Sequence, residues 1–92
     1  MATSSSSSPD PQEVFDQRKE ALLLALGARV RALRKERQLG QEPLADLASL
    51  HRTHIYSIEK GRANPSFETL LKVADALEVS LMELMDFEEV QS

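Results

Sequence analysis

Residues 41–61 read QEPLADLASLHRTHIYSIEKG. Two short apolar-periodic segments flank a break at Ser49-Leu50-His51. In the first, Leu44, Ala45, Leu47 and Ala48 recur three and four apart, which marks one face of a helix of about two turns. In the second, Ile55 and Ile58 point inward at i, i+3, and Arg52, Thr53, Tyr56 and Ser57 fall on the opposite side. Nucleating a helix is costly, so two helices this short need a third element to clamp them. An outer face offering Arg, Thr, Tyr, Ser and His suits a groove walled by phosphates and base edges.

The wider pattern is Gln41-Glu42-x-Leu44-Ala45, then Leu50-His51-Arg52-Thr53-x-Ile55-x-x-Ile58-Glu59-x-Gly61, then Asn64-Pro65-Ser66. It continues as Leu70-x-x-Val73-Ala74-x-Ala76-Leu77-x-Val79-Ser80-Leu81-x-x-Leu84. Over about residues 26–85 this resembles the Cro/phage-repressor-type (XRE-like) helix-turn-helix family, including its short stand-alone regulators and restriction–modification controller proteins. The resemblance implies an all-α fold, a five-helix repressor-like domain, here with an additional N-terminal helix. It also implies sequence-specific binding to double-stranded DNA, with a recognition helix at about 52–60 in the major groove. Members of one fold can differ in function. The alternative is a protein-interaction module or antitoxin component, for which a Phe15/Leu22/Leu26 stripe is the available surface.

The chain has 92 residues, enough for one small domain. It has no cysteine, hence no disulfide framework and no thiolate metal site. No apolar run is long enough to span a membrane and no signal-peptide pattern is present, so the expectation is a cytoplasmic protein without membrane partners. The net charge of −4 is unevenly spread. Residues 27–64 hold eight Lys/Arg (Arg29, Arg31, Arg34, Lys35, Arg37, Arg52, Lys60, Arg62) against four acids, a local +4. Residues 65–92 sum to −6 and residues 1–26 to −2. Positive charge is thus gathered around the two short helices, with the acidic ends expected to face away from a polyanion.

Taken in order, residues 1–9 are a serine-rich leader with nothing to bury, expected to be disordered. Residues 10–26 form the N-terminal helical extension. Asp10 serves as N-cap, Pro11 as N1 and Glu13 as N3, and Phe15, Leu22 and Leu26 make a stripe with Val14, Ala21 and Ala25 beside it. Gly27 either breaks this helix or lies within one that continues to Arg37. The extension either packs on its own domain or serves as a dimerisation arm. Residues 27–87 form the helix-turn-helix domain and residues 88–92 an acidic tail. Val30 and Leu33 face the core, with Arg29, Arg31, Lys35 and Arg37 on the outer faces. Ser66 caps a fourth helix with core stripe Leu70, Val73, Ala74 and Leu77. Ser80 and Glu83 form a capping box, opening a fifth helix to about residue 87 in which Leu81, Leu84 and Met85 face the core. Met82 and Phe87, with Leu71, are left over for a two-fold contact.

The resemblance carries roles onto single positions. Arg52, Thr53, Ser57 and His51 are expected at base edges, with Arg52 able to pair bidentately with guanine. Gln41, Tyr56, Lys60, Arg62 and Asn64 are expected at phosphates. Arg34 and Glu59 are expected to form a structural ion pair, with a phosphate as a second destination for Arg34. Gly40 stands where relatives carry a hydroxyl N-cap, and Ser49 where they carry glycine. A positive φ at Ser49 would cost roughly 1 kcal/mol. His51 and His54 are three apart but lack a third ligand, so no metal and no other cofactor is expected. With no nucleophile–base pairing and no glycine-rich phosphate loop, the sequence does not read as an enzyme. No small-molecule effector is expected. The partners anticipated are duplex DNA, read at a palindromic operator, and a second copy of the chain.

Overall fold

The computed structural model describes residues 8–88, so most of the serine-rich leader and of the acidic tail lies outside the described residues. The first helix starts as its sequence dictates. The Asp10 carboxylate accepts the Gln12 N–H at 3.3 Å, and Pro11 occupies the first turn, where its missing N–H costs nothing. From there α1 (Pro11–Glu36) runs unbroken for 26 residues, about 39 Å. Gly27 therefore does not end the extension. The additional helical segment is fused to the first helix of the domain, and the described residues hold five helices.

A glycine inside a helix is unfavourable by about 1 kcal/mol relative to alanine. Close packing explains this one. A Cβ on Gly27 would lie 2.4 Å from the Ile58 carbonyl oxygen and 2.6 Å from that of Glu59. The backbone of α1 thus rests directly on the C-terminal end of α3 (Arg52–Glu59). Between them in sequence lies α2 (Gln41–Ala48), which packs on both α3 and α4 (Phe67–Leu77). A final short turn, α5 (Leu81–Leu84), closes the domain against α1 and α4.

The core is aliphatic and shared by every helix. Leu26, Val30 and Leu33 come from α1, Leu44 and Ala45 from α2, and Ile55 and Ile58 from α3. Val73, Ala74 and Leu77 of α4 and Leu84 of α5 complete it. Three side chains depart from the expected pattern. Leu47 is 61% exposed, because α2 is pressed by its neighbours only along the Leu44/Ala45/Ala48 side. Met85 is also exposed, at the C-cap of an α5 that stops at Leu84 rather than near residue 87. Phe87 is not left over. Its N–H donates to the Met85 carbonyl at 3.0 Å, turning the chain back so that the ring packs against the core.

Helices α1 to α4 all end on a left-handed residue: Gln38 (φ 58°), Ser49 (φ 57°), Gly61 (φ 73°) and Glu78 (φ 59°). Each end is closed by a backbone bond back to the last turn. Leu39 N–H donates to Arg34, Leu50 to Ala45, Arg62 to Ser57 and Val79 to Ala74, all within 2.8–3.1 Å. Only one of the four is glycine, and α1 is the reason. A Cβ on Gly61 would stand 2.7 Å from Leu24 Cδ2 and 3.1 Å from Leu24 Cα. The other three positions bear the roughly 1 kcal/mol strain of a side chain in this region. At the far end, the Glu83 N–H donates to Ser80 Oγ and the Ser80 N–H to Glu83 Oε1, both at 3.0 Å, the capping box expected there.

Candidate nucleic-acid interface

The outer face of α3 follows from its inner one. Burying Ile55 and Ile58 fixes the rotation of an eight-residue helix. Arg52 and Thr53 are then exposed in its first turn, Tyr56 is 40% exposed and Ser57 is half-buried. His51 is the exposed N-cap residue, and its side chain caps nothing. His54 is half-buried. Among the described residues no group of three or more His, Cys, Asp or Glu is placed to hold a metal ion.

The helix is locked in place at its other end. Arg34 Nε lies 2.6 Å from Glu59 Oε2, and its second terminal nitrogen donates to Glu59 Oε1 at 2.9 Å. The first donates to the Leu39 carbonyl at 2.8 Å. All three nitrogens of Arg34 are thus engaged inside the protein, and the two side chains are only 11% and 4% exposed. The bond to Glu59 raises the Arg34 pKa above its ordinary value against the opposing effect of burial. Gln41 Nε2 also donates to Glu59 Oε1, at 3.1 Å, so the first residue of α2 buttresses the same carboxylate. This fork is the bidentate geometry that arginine makes best with a carboxylate.

The other cations divide into two groups. Arg29 is drawn away from the surface role expected of it, because its Nε and terminal nitrogen fork onto the Glu83 carbonyl at 3.1 and 2.8 Å and tie α1 to α5. Arg37 pairs with Glu78 at 3.1 Å. Among the described residues, Arg31, Lys35, Arg52, Lys60 and Arg62 have no acidic partner. Lys60 Nζ sits 5.6 Å from the centre of the Tyr56 ring, a cation–π distance.

A polar cleft of about 230 Å³ opens beside α3, lined by Arg31, Arg34, Gln41, Tyr56, Glu59 and Lys60. Glu59 is neutralised by Arg34, which leaves Arg31 and Lys60 to set the sign of the cleft. Arg31 was counted above only among outward-facing charges. Its signal was available in the spacing, since it lies one turn before Arg34 and so on the side of α1 that meets α3. Arg62 is exposed in the loop after α3. Asn64 is exposed too, but it lines a different, largely apolar cleft against the outer half of α1.

This arrangement defines the class: a helix-turn-helix domain presenting a polar, cation-flanked second helix. Comparison with known proteins agrees. The helix-turn-helix family profile matches residues 30–84. The chain is 45% identical over 58 residues to the immunity repressor protein of Bacillus phage phi105, a match covering 63% of this chain but only 40% of that one. It is 38% identical over 77 residues to the control protein C.SmaI of Serratia marcescens, covering 84% and 87% of the two chains. Among solved structures, the restriction-modification controller protein C.AhdI from Aeromonas hydrophila superposes with a TM-score of 0.67 at 40% identity, over 67% of this chain and 94% of that one. The chain belongs to the helix-turn-helix family of the Cro/phage-repressor (XRE) type and is a DNA-binding transcriptional regulator.

Proposed function

We propose that two copies of this chain lay their α3 helices into successive major grooves of a palindromic operator, about one helical turn or roughly 34 Å apart. Arg52, Thr53, Ser57 and His51 read base edges. Arg52 donates a bidentate pair to guanine, and Thr53 offers its hydroxyl or its methyl group. Gln41, Tyr56, Lys60, Arg62 and Asn64 hold phosphates, and Arg31 joins them from α1. The observation that carries this reading is the sorting of charge: Arg31, Arg52, Lys60 and Arg62, on or beside α3, have no acidic partner among the described residues, while Arg29 is taken up by the Glu83 carbonyl, Arg34 by Glu59 and Arg37 by Glu78. Each cation that displaces a condensed counterion steepens the fall of affinity with salt.

The protein acts in the cytoplasm by concentration and dimerisation, without cofactor, small-molecule effector or catalysis. No helix among the described residues is long and apolar enough to cross a membrane. Selection from random duplex oligonucleotides at a stated salt concentration tests the reading. A recovered motif with dyad symmetry supports it. An asymmetric motif removes the two-fold part, and failure to enrich any duplex removes the DNA reading itself.

A further inference from the structure

Tyr56 and Lys60 are four apart on α3, and side chains on a helix lean toward its N-terminus, so the lysine stem lies back over the ring. Its ammonium ends 5.6 Å from the ring centre. Lysine carries a strongly hydrated point charge on a flexible stem, and an exposed one loses much rotamer freedom when it is held at one place. An aromatic face that attracts the ammonium supplies part of that ordering before any ligand arrives. Arg31 of α1 and Gln41 of α2 line the same cleft. The Gln41 amide is itself held, since its Nε2 donates to Glu59 Oε1 at 3.1 Å, and a carboxamide nitrogen has a second N–H to offer. Glu59 brings no net charge, because Arg34 grips both of its oxygens. Three helices thus deliver two cations without acidic partners and one amide donor to a single cleft of about 230 Å³.

We infer that this cleft takes one phosphate of the duplex backbone, shared between Arg31 and Lys60, and that Tyr56 is a positioning residue that holds the Lys60 ammonium in place for it. Two cations lining one cleft repel each other until an anion lies between them. A backbone phosphate has two unesterified oxygens, and arginine meets them as a fork while lysine meets them as a point charge. The part of Tyr56 in phosphate binding is then played by the face of its ring, through Lys60, and not by its hydroxyl. Because α1, α2 and α3 all bound the cleft, a single phosphate seated there fixes the register from which Arg52 and Thr53 reach the bases.

This assignment rests on the duplex-binding reading above and deepens it by naming how one phosphate is held. The test uses the full chain and a duplex recovered by selection, with one backbone phosphate at a time replaced by an uncharged methylphosphonate. For each bound copy of the chain, one position should matter to both cations. Neutralising it should weaken wild-type binding, and should add little to the loss already suffered by Arg31→Ala or by Lys60→Gln. Tyr56→Leu should weaken binding about two- to fivefold at constant salt. Tyr56→Phe should recover most of that loss, because a phenyl face still attracts the ammonium. In a Lys60→Gln background Tyr56→Leu should have little further effect, a coupling that neither a lost hydroxyl contact nor a loosened helix would give. Tyr56 and Lys60 are exposed and outside the core, so the melting temperatures should stay close to that of the wild type. Tyr56→Phe binding as weakly as Tyr56→Leu, or additive losses in the double variant, overturns the role of the ring. Arg31→Ala and Lys60→Gln losing sensitivity at different phosphates overturns the shared site. If no duplex is selected at all, the functional reading falls and this inference with it, whereas tight duplex binding without these couplings leaves that reading standing and removes the inference alone.

Discussion

α2 and α3 are near twins in construction. Each has eight residues, neither has a side-chain hydrogen bond at its N-cap, and each ends on a left-handed residue. Each turns two or three aliphatic side chains inward. They differ in what is left outside. α2 exposes Glu42, Asp46 and Leu47, whereas α3 exposes Arg52, Thr53 and Tyr56. The inward faces are alike, so the proposed division of labour between support and reader rests on the residues left outside. It is also written in how they are held. α3 is bolted from α1 through Arg34–Glu59 and through the bare backbone contact at Gly27, and α2 has no comparable restraint beyond Gln41.

The largest test of that asymmetry is the bolt. Glu59→Ala should cost about 3–5 kcal/mol in urea unfolding, because it strands a buried guanidinium. Asp46→Ala on α2 should stay within about 0.5 kcal/mol. The turns that end the two helices give a contrast of sign. Gly61→Ala should destabilise by about 1–3 kcal/mol, since a methyl group there meets Leu24 in an already strained conformation. Ser49→Gly should stabilise by up to about 1 kcal/mol. If both changes destabilise equally, the packing of α1 does not distinguish the two turns.

On DNA, Arg52→Ala should lose about 1–3 kcal/mol of affinity and relax preference at one base, and Asp46→Ala should leave the selected motif intact. An unaltered motif for Arg52→Ala would remove that side chain from the base edges. The smallest effects belong to the flanking cations. Arg31→Ala and Arg62→Ala should each weaken binding alike across sequences and reduce the slope of log affinity against log salt by about 1. A slope that does not move excludes the residue from phosphate contact.

Local chemistry made much of this legible in advance. The core positions of α3 and α4 and the Ser66 and Ser80 caps follow from neighbours within one or two turns, where periodicity and capping rules operate, and the left-handed Ser49 was suggested by the glycine that the resembled family carries there. What escaped depends on contacts remote in sequence. Gly27 reads equally as a helix stop or a packing notch until the carbonyls of Ile58 and Glu59 are set against it. Arg29 reads as a surface charge until Glu83, 54 residues on, presents its carbonyl. Phe87 looked unpartnered because a turn after α5 carries no periodic signal. In the recognition face the residue types were readable, but Arg31 was not singled out: its spacing from Arg34 put it on the right side of α1, and the crossing of the two helices is what brings it into the cleft beside α3.

The unbroken passage of α1 across Gly27 has a mechanical consequence. The outer half of the helix cannot swivel relative to α3, so it behaves as a lever whose bearing is set at the fulcrum on Ile58 and Glu59. Inserting one residue between the fulcrum and Phe15 would swing that ring by about 100° and shift it only about 1.5 Å, whereas inserting seven would return it nearly to its original azimuth about 10 Å further out.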